Sequence, residues 1–174
     1  VNEDPSKVIA ACAHVPGAIA QFHGDESPED CQAATRGGER AFLRAARIPL
    51  GDGAAQFDLV EYANRYSHAK AILLDAHVEG FGGGGKAFNW SLLPTSVASH
   101  LVLSGGLTPA NVTDGIVQVR PRCISLAVDV SSGVEKTGPD GQPIKGTKDA
   151  DKIHQFVAAV RAADALLAQN PFHV

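Results

Sequence analysis

Short apolar runs alternate with amphipathic stretches along most of the chain. The apolar runs predict five buried strands, at residues 18–22, 41–45, 70–75, 101–104 and 124–130. The clearest helix follows the last strand, because the apolar residues between Ile153 and Leu167 recur at a period of about 3.6. Strands that are apolar throughout and alternate with helices are typical of a parallel α/β sheet.

Two connections between these strands carry a signal for the start of a helix. Ser27-Pro28 and Thr108-Pro109 each combine a side chain that can cap backbone N–H groups with a proline that suits the first helical turn. A weaker helix is predicted over residues 52–65, although Gly-Asp-Gly at residues 51–53 is an unfavourable start, and a short one is predicted over residues 88–93. Each predicted strand is therefore followed by a helical segment.

Two closures of such a sheet fit the pattern, a doubly wound open sheet and a (β/α)₈ barrel. Polar residues at or near the ends of the predicted strands favour the barrel, because barrel enzymes keep their catalytic groups there. These residues are His23, Arg44, Asp75, Ser104 and Asp129. Five strands are fewer than a closed barrel needs, so either the sheet is open or the chain begins partway round.

Composition and charge narrow the class of protein. The 174 residues carry a net charge of −4 without a long run of one sign, which argues against a nucleic-acid-binding surface. No apolar stretch has the length of a membrane span. The three cysteines, Cys12, Cys31 and Cys123, show neither disulfide nor metal-ligand spacing, which is typical of reduced thiols in the cytoplasm. We expect a single globular domain over residues 1–174.

Two turns rich in small residues follow the last two predicted strands. Gly105-Gly106 lies in the segment LSGGL, and Ser131-Ser132-Gly133 lies in the segment DVSSGVE. Glycine and serine let the backbone approach an anion closely, and barrel enzymes build phosphate sites from loops in this region. One such turn alone is more often a tight turn without a ligand. Two on consecutive strands make a phosphate site and a pair of plain turns equally good interpretations.

Asp75 ends the apolar strand ILLDA. A carboxylate at this position is partly removed from water, which suits a general acid or base, although a helix-capping or loop-anchoring role fits equally well. His23 has the corresponding position on the first strand, where a substrate-binding or catalytic role competes with a purely structural one. No second His, Cys or carboxylate stands at metal-ligand spacing, so no metal site is predicted.

A glycine-rich segment follows Asp75 after a short connection. Its residues are Gly82, Gly83, Gly84, Gly85 and Lys86. The segment is not a nucleotide-binding loop of the GxxxxGK(S/T) type, because Ala87 follows the lysine. A mobile lid over a site fits better, since glycine removes side-chain barriers to opening, and the alternative is an unconstrained surface loop.

Five segments occur in the order of a known family: ILLDA, GGGGKAFNW, LVLSGGLTPANV, VDVSSGVE and KGTKDADKIHQFV. Upstream of them, AQFHGDE resembles the Q-L-H-G-x-E motif of the same family, and FLRAARI resembles its next strand. The chain thus resembles the phosphoribosylanthranilate isomerases of tryptophan biosynthesis over almost its whole length. The combination of LSGGL with DVSSGVE and a following Lys-Asp is far more specific than either turn alone.

The resemblance implies a (β/α)₈ TIM barrel and an Amadori rearrangement, with neither a metal nor an organic cofactor. The substrate would be a phosphorylated small molecule, N-(5′-phosphoribosyl)anthranilate, and the product 1-(2-carboxyphenylamino)-1-deoxyribulose 5-phosphate. The resemblance implies that Asp75 is the general acid. Further substrate contacts are implied for His23, Arg44 and Asp129. The implied phosphate-binding residues are Gly105, Gly106, Ser131, Ser132 and Gly133, and the segment from Gly82 to Lys86 would be the lid.

The chain departs from the family in its general base, which is a cysteine in a Lys-(Val/Ile)-Cys-Gly motif on the first barrel strand. No such motif is present, and the family's R-x-(I/V) segment with a substrate-binding arginine is also absent. Aligned by its motifs, Val1-Asn2 corresponds to the end of the third strand. The chain is therefore expected to cover about strands 4–8 with the N-terminal units missing, and to be inactive alone.

A barrel cut before its fourth strand has two open edges, and unpaired strands promote association. Instability or self-association of the chain alone is therefore expected. Two alternative functions stay open, a non-catalytic fragment that binds phosphate and another phosphate-binding barrel isomerase of tryptophan or histidine biosynthesis. The segment from Thr137 to Gly146 is also longer than the corresponding link of the family.

Overall fold

The computed structural model describes residues 1–76 and 87–169. The strands in this part of the chain are β1 (Ala20–Phe22), β2 (Phe42–Ile48), β3 (Ala71–Ala76), β4 (Val97–Leu103), β5 (Cys123–Val128), β6 (Glu135–Thr137) and β7 (Pro143–Lys148). The α-helices are α1 (Pro5–Ala13), α2 (Pro28–Ala34), α3 (Leu59–Arg65), α4 (Val112–Val119) and α5 (Ala150–Gln169). No helix in the described ranges is long and apolar enough to cross a lipid bilayer.

Strands β1 to β5 form one parallel sheet in which every strand pairs with its neighbour in sequence. A doubly wound sheet reverses its strand order at a switch point, and no reversal occurs between β1 and β5. The sheet is therefore wound in one direction, as in a barrel, which decides against the doubly wound alternative for this part of the chain. The parallel α/β sheet predicted from the sequence is confirmed.

The two faces of the sheet differ in what covers them. One face of β2 and β3 packs against the helices through Phe42, Ile72 and Leu74, all of them buried. Removing a side chain of the size of Ile72 or Leu74 from water stabilises the fold by roughly 1.5–3 kcal/mol. Because side chains alternate along a strand, Leu73 and Asp75 lie on the opposite face. That alternation decides which polar side chains share a site.

Both predicted helix starts lead into a helix, and one helix begins later than expected. Ser27 caps α2, where its hydroxyl accepts from Asp30 N while the Asp30 carboxylate accepts from Ser27 N. Thr108 does not cap α4. Its N–H donates to Asn111 Oδ1 at 2.8 Å, and the helix begins only at Val112. The Thr-Pro pair therefore forms the turn before the helix.

The helix predicted over residues 52–65 is broken. A 3₁₀ turn covers Gly51–Gln56, and α3 begins separately behind it. The break has a local cause, because Asp58 caps a new helix start by accepting a hydrogen bond from Glu61 N. The glycines that open the segment also disfavour a regular helix there.

Three other segments differ from the sequence prediction. The short helix predicted over residues 88–93 is a single 3₁₀ turn, Trp90–Leu92. Strand β2 continues past its predicted end at Ala45 to Ile48, which brings a second arginine into the strand. Strands β6 and β7 form an antiparallel hairpin in the long segment after the second small-residue turn, where no strand is predicted.

Candidate active site

Four polar side chains meet where the strands of the parallel sheet end. His23 follows β1, and Asp75 lies near the end of β3. Ser104 directly follows β4, and Asp129 directly follows β5. A cleft of about 110 Å³ lies among them. Its lining includes eight residues that the sequence singles out, which are His23, Asp75, Ser104, Gly105, Gly106, Asp129, Ser131 and Ser132.

Asp75 is almost fully buried, with 4% of its surface exposed. Its Oδ2 lies 3.1 Å from His23 Nε2. Its Oδ1 is also buried and has no hydrogen-bond partner among the residues that the structure describes. A buried carboxylate oxygen without a partner is costly, so such an atom needs an explanation such as a catalytic role. One oxygen of Asp75 is thus held by His23, and the other is available to a ligand.

Gly105 makes room for this available oxygen. Its φ of +74° lies in the left-handed region, which glycine adopts without strain. A β-carbon at this position would lie 2.5 Å from Asp75 Oδ1 and 2.6 Å from Ala76 N. Glycine is therefore required here for both conformation and space. The first small-residue turn lies directly against the predicted acid.

The two small-residue turns also contact each other. Ser104, which precedes the first turn, donates its hydroxyl proton to Asp129 Oδ2 at 3.1 Å. Gly133 of the second turn is not among the residues that line the cleft. A β-carbon on Gly133 would lie 1.8 Å from Leu107 O, so glycine is needed for the close approach of the two turns. The structure places Gly133 in packing between the turns. Ser104, which the sequence places at a strand end without a specific role, joins the site through its bond to Asp129.

Arg44 does not reach the cleft. It pairs with Ile72 in the register of β2 and β3, so its side chain lies on the helix face of the sheet, opposite to Asp75. There it is 4% exposed and donates to Glu26 Oε2 at 3.0 Å. Its guanidinium group also lies 4.8 Å from the centre of the Tyr66 ring. The structure therefore gives Arg44 a structural role in place of the predicted substrate contact.

Arg47 lies on the face of the sheet where the sequence analysis expects Arg44. It pairs directly with Asp75 in the register, so both side chains lie on one face of the sheet. It also forms an ion pair with Asp25, two residues after His23. The predicted strand ends before Arg47, and only the register with β3 shows which arginine shares a face with Asp75.

The profile of the family described as N-(5'phosphoribosyl)anthranilate (PRA) isomerase matches residues 1–159. The chain belongs to this PRA isomerase family. The N-(5'-phosphoribosyl)anthranilate isomerase of Methylibium petroleiphilum is 52% identical over 170 residues, which cover 98% of this chain and 70% of the relative. That of Leptothrix cholodnii is 53% identical over 165 residues, which cover 95% and 66%. The chain thus spans about two thirds of the length of these relatives.

Solved PRA isomerases share the fold. The enzyme from Thermus thermophilus matches with a TM-score of 0.67 at 24% identity, over 92% of this chain and 69% of that one. The enzyme from Thermotoga maritima matches with a TM-score of 0.58 at 32% identity, over 92% and 68%. The family and the barrel-like α/β fold predicted from the sequence are confirmed, and with them the isomerase function at the level of the family.

None of the three cysteines has the position expected of a PRA isomerase base. Cys12 lies in α1, and Cys31 is buried in α2, where burial raises its pKa to about 11. Cys123 opens β5 at the end of the strand opposite to the cleft, and burial raises its pKa as well. A raised pKa lowers the fraction of reactive thiolate at neutral pH.

Two further predictions concern the lid and metal binding. The predicted lid, from Gly82 to Lys86, lies outside the described residues. Within residues 1–76 and 87–169, no group of three or more His, Cys, Asp or Glu side chains could hold a metal ion.

Proposed function

We propose that this chain carries the acid and the phosphate-binding part of a site that isomerises N-(5′-phosphoribosyl)anthranilate. One observation carries the proposal. The buried Oδ1 of Asp75, without a partner among the described residues, lies in the same cleft as both small-residue turns. A proton donor beside a phosphate cradle is what a ring-opening reaction on a sugar phosphate requires.

Asp75 acts as the general acid in this proposal. The proton on Oδ1 passes to the furanose ring oxygen while the bond between that oxygen and the anomeric carbon breaks, and the nitrogen lone pair forms a Schiff base. His23 holds Oδ2 at 3.1 Å, which orients the carboxyl group so that Oδ1 faces the substrate. His23 also lines the cleft, where it contacts the sugar.

The two turns hold the other end of the substrate. Backbone N–H groups at Gly105 and Gly106 bind the phosphate together with the hydroxyl groups of Ser131 and Ser132, because phosphate oxygens are strong hydrogen-bond acceptors. Asp129, fixed by the Ser104 hydroxyl, contacts a sugar hydroxyl in the Schiff-base intermediate. Gly133 belongs to this cradle by keeping the two turns together.

The second half of the reaction needs a general base. The base removes the proton from the carbon next to the Schiff base, and the electron pair moves to the nitrogen to give an enolamine, which becomes the ketone. The sequence contains no Lys-(Val/Ile)-Cys-Gly motif. We therefore infer that this chain alone has little or no isomerase activity.

The edges of the sheet suggest how a base could be supplied. Strands β1 and β5 each have one neighbour in the described sheet. An edge strand offers unpaired backbone N–H and C=O groups to another strand. A polypeptide with the base motif on a strand can complete the site at these edges, and without it we expect the chain to self-associate.

The decisive experiment follows the loss of substrate fluorescence. This chain is assayed alone and mixed with the N-terminal third of the M. petroleiphilum relative, and turnover is expected only in the mixture. In the mixture, Asp75→Asn should lower the rate by about 10²–10⁴-fold. The affinity of the Asp75→Asn variant for inorganic phosphate should equal that of the wild type. The matched control is Asp114→Asn, at an exposed carboxylate in α4, which should retain full activity.

Each outcome distinguishes between the candidate functions. A fully active Asp75→Asn removes Asp75 from the acid role. Phosphate binding without turnover in the mixture favours a non-catalytic phosphate-binding domain. Turnover by the chain alone shows that another of its groups can serve as the base, and it contradicts our inference on this point.

A further inference from the structure

The β6–β7 hairpin directly follows the second small-residue turn. The corresponding segment of the sequence is longer than the family's link and has no function in the mechanism above. Strand β7 is exposed along its whole length, so the hairpin contributes little apolar burial. Polar contacts to the turn therefore matter more than packing for what the hairpin does.

Lys148, the last residue of β7, reaches back to the turn. Its Nζ donates to Ser131 O at 2.8 Å and lies 3.4 Å from Ser131 Oγ. The same Nζ lies 3.2 Å from Oε1 of Glu135, a residue that is 7% exposed. One ammonium group thus connects the hairpin, a buried carboxylate and the turn that lines the cleft.

Glu135 is fixed from several sides. Its Oε1 accepts a hydrogen bond from Gly146 N at 2.7 Å. That backbone bond and the Lys148 ammonium group hold the pKa of Glu135 below its ordinary value, so the carboxylate stays ionised at neutral pH. Lys152 of α5 donates to Glu135 O at 2.7 Å and to Thr137 Oγ1 at 3.0 Å, which anchors β6 to the helix. Lys148 is therefore held in place on a fixed support.

The hydrogen-bond chemistry of this contact bears on the cleft. An ammonium group has three protons and no acceptor, so it can only donate. A donor on Ser131 Oγ leaves the serine's own proton for an acceptor elsewhere, and Ser131 lines the cleft. A phosphate oxygen is such an acceptor, and hydrogen bonds to an ionised acceptor are strong.

We propose that Lys148 is a positioning residue for the phosphate group of the substrate. It fixes the Ser131 carbonyl and orients the Ser131 hydroxyl, so that the second turn presents its donors to a phosphate monoester. The proposal rests on the proposed function, because it assumes that the two turns bind phosphate. Strand β7 then holds this lysine beside the turn.

The test measures the affinity of this chain for inorganic phosphate by titration calorimetry. Lys148→Met should weaken binding about 10-fold, the loss expected when a charge-assisted contact to the turn is removed. Lys148→Arg should bind within about 3-fold of the wild type, because it keeps a cationic donor. The matched control is Lys145→Met, at an exposed lysine of the same strand, which should leave binding unchanged. Urea unfolding without phosphate is recorded for every variant.

The outcomes separate this proposal from the proposed function. If the wild-type chain does not bind phosphate, the two turns are not a phosphate site, and the proposed role of Lys148 is wrong as well. Binding by Lys148→Met that equals the wild type overturns only the role of Lys148. If Lys148 has a purely structural role, Lys148→Met should have a lower urea midpoint and an unchanged affinity for phosphate. If Lys148→Arg does not restore the affinity that Lys148→Met loses, a positioning role for a cationic donor is also wrong. Should Lys148→Met not fold, Lys148→Ala also removes the donor, and wild-type affinity in that variant overturns the proposal as well.

Discussion

Two pairs of charged or polar groups lie on opposite faces of the same sheet. Arg44 and Glu26 meet on the helix face, where the Arg44 guanidinium group also stacks on an aromatic ring. His23 and Asp75 meet in the cleft at the carboxyl ends of the strands, which we call the mouth of the sheet. Both carboxylates are almost fully buried, so burial alone does not distinguish a structural pair from a functional one.

The difference lies in how completely each carboxylate is satisfied. Glu26 Oε1 accepts from Asn2 N at 2.7 Å, and Oε2 accepts from Gly24 N at 2.8 Å and from Arg44 at 3.0 Å. Asp75 uses one oxygen and leaves the other without a partner in the described part of the chain. A buried charge is costly unless it is paired and hydrogen-bonded. Arg44 Nε is also buried without a hydrogen-bond partner among the described residues, so the contrast holds for the two carboxylates and not for the whole pairs. The satisfied Glu26 carboxylate serves the fold, and the incomplete Asp75 carboxylate marks the cleft.

The largest effect is expected on the helix face. Arg44→Met leaves the Glu26 carboxylate buried without its counter-charge, so we expect the free energy of unfolding to fall by about 3–5 kcal/mol. Part of the loss comes from the contact between the guanidinium group and the Tyr66 ring. Urea unfolding followed by circular dichroism measures the change, and phosphate affinity of the folded protein should stay the same.

A surface ion pair provides the control for Arg44→Met. Arg120 lies 2.6 Å from Asp164, and their side chains are 35% and 50% exposed. Arg120→Met should cost less than about 1 kcal/mol, because solvent screens such pairs. If Arg44→Met lowers the free energy of unfolding by no more than Arg120→Met does, the Arg44–Glu26 pair does not stabilise the fold. The proposed difference between this pair and the His23–Asp75 pair is then wrong.

The sequence predicts the residues at the mouth well and their faces poorly. Asp75, His23 and the two turns could be found because parallel strands bring their carboxyl ends to one edge. Choosing between Arg44 and Arg47 requires the register of β2 against β3. A shift of one residue moves a side chain to the other face, and no local pattern in FLRAARI gives that register.

The hairpin could not be predicted for a different reason. Strand prediction rests on alternating apolar positions, and β7 is exposed throughout, with Ile144 as its only large apolar residue. Its position depends instead on contacts distant in sequence, such as Lys148 to Ser131. The same holds for the Glu26–Arg44 pair, whose partners lie on separate elements. Long-range polar contacts are thus the part of this fold that the sequence pattern does not show.

The next effect concerns the space around the unsatisfied oxygen at the mouth. Gly105→Ala places a methyl group against Asp75 Oδ1 in a left-handed backbone conformation. We expect a loss of about 2–4 kcal/mol in the free energy of unfolding, together with weaker phosphate binding.

Gly37→Ala is the control, because Gly37 has a φ of +68° and open space around its β-carbon position. It should lose only about 1–2 kcal/mol from the conformation. Equal losses in the two variants would show that Asp75 does not depend on this space.

The smallest effect concerns acid sensitivity on the helix face. Burial raises the pKa of Glu26, but backbone N–H bonds from Asn2 and Gly24 and the charge of Arg44 outweigh it, so the folded pKa lies below the ordinary value of 4.5. A carboxyl group with a lowered folded pKa stabilises the fold above its unfolded pKa, and this contribution is lost as the pH falls through the folded value. Wild-type stability should therefore decline from pH 5 downwards, in part through Glu26.

Glu26→Gln isolates this contribution. At pH 7 the variant should be less stable than the wild type by about 1.5–3 kcal/mol, because the bonds to a charged acceptor become bonds to a neutral one. The difference should shrink as the pH is lowered below 4.5, since the wild-type carboxylate then takes up a proton. Urea unfolding of both proteins between pH 7 and pH 3 measures it. If the difference in the free energy of unfolding between the two proteins is the same at every pH, the acid sensitivity comes from other carboxylates. Glu26 would then not be the satisfied counterpart of Asp75.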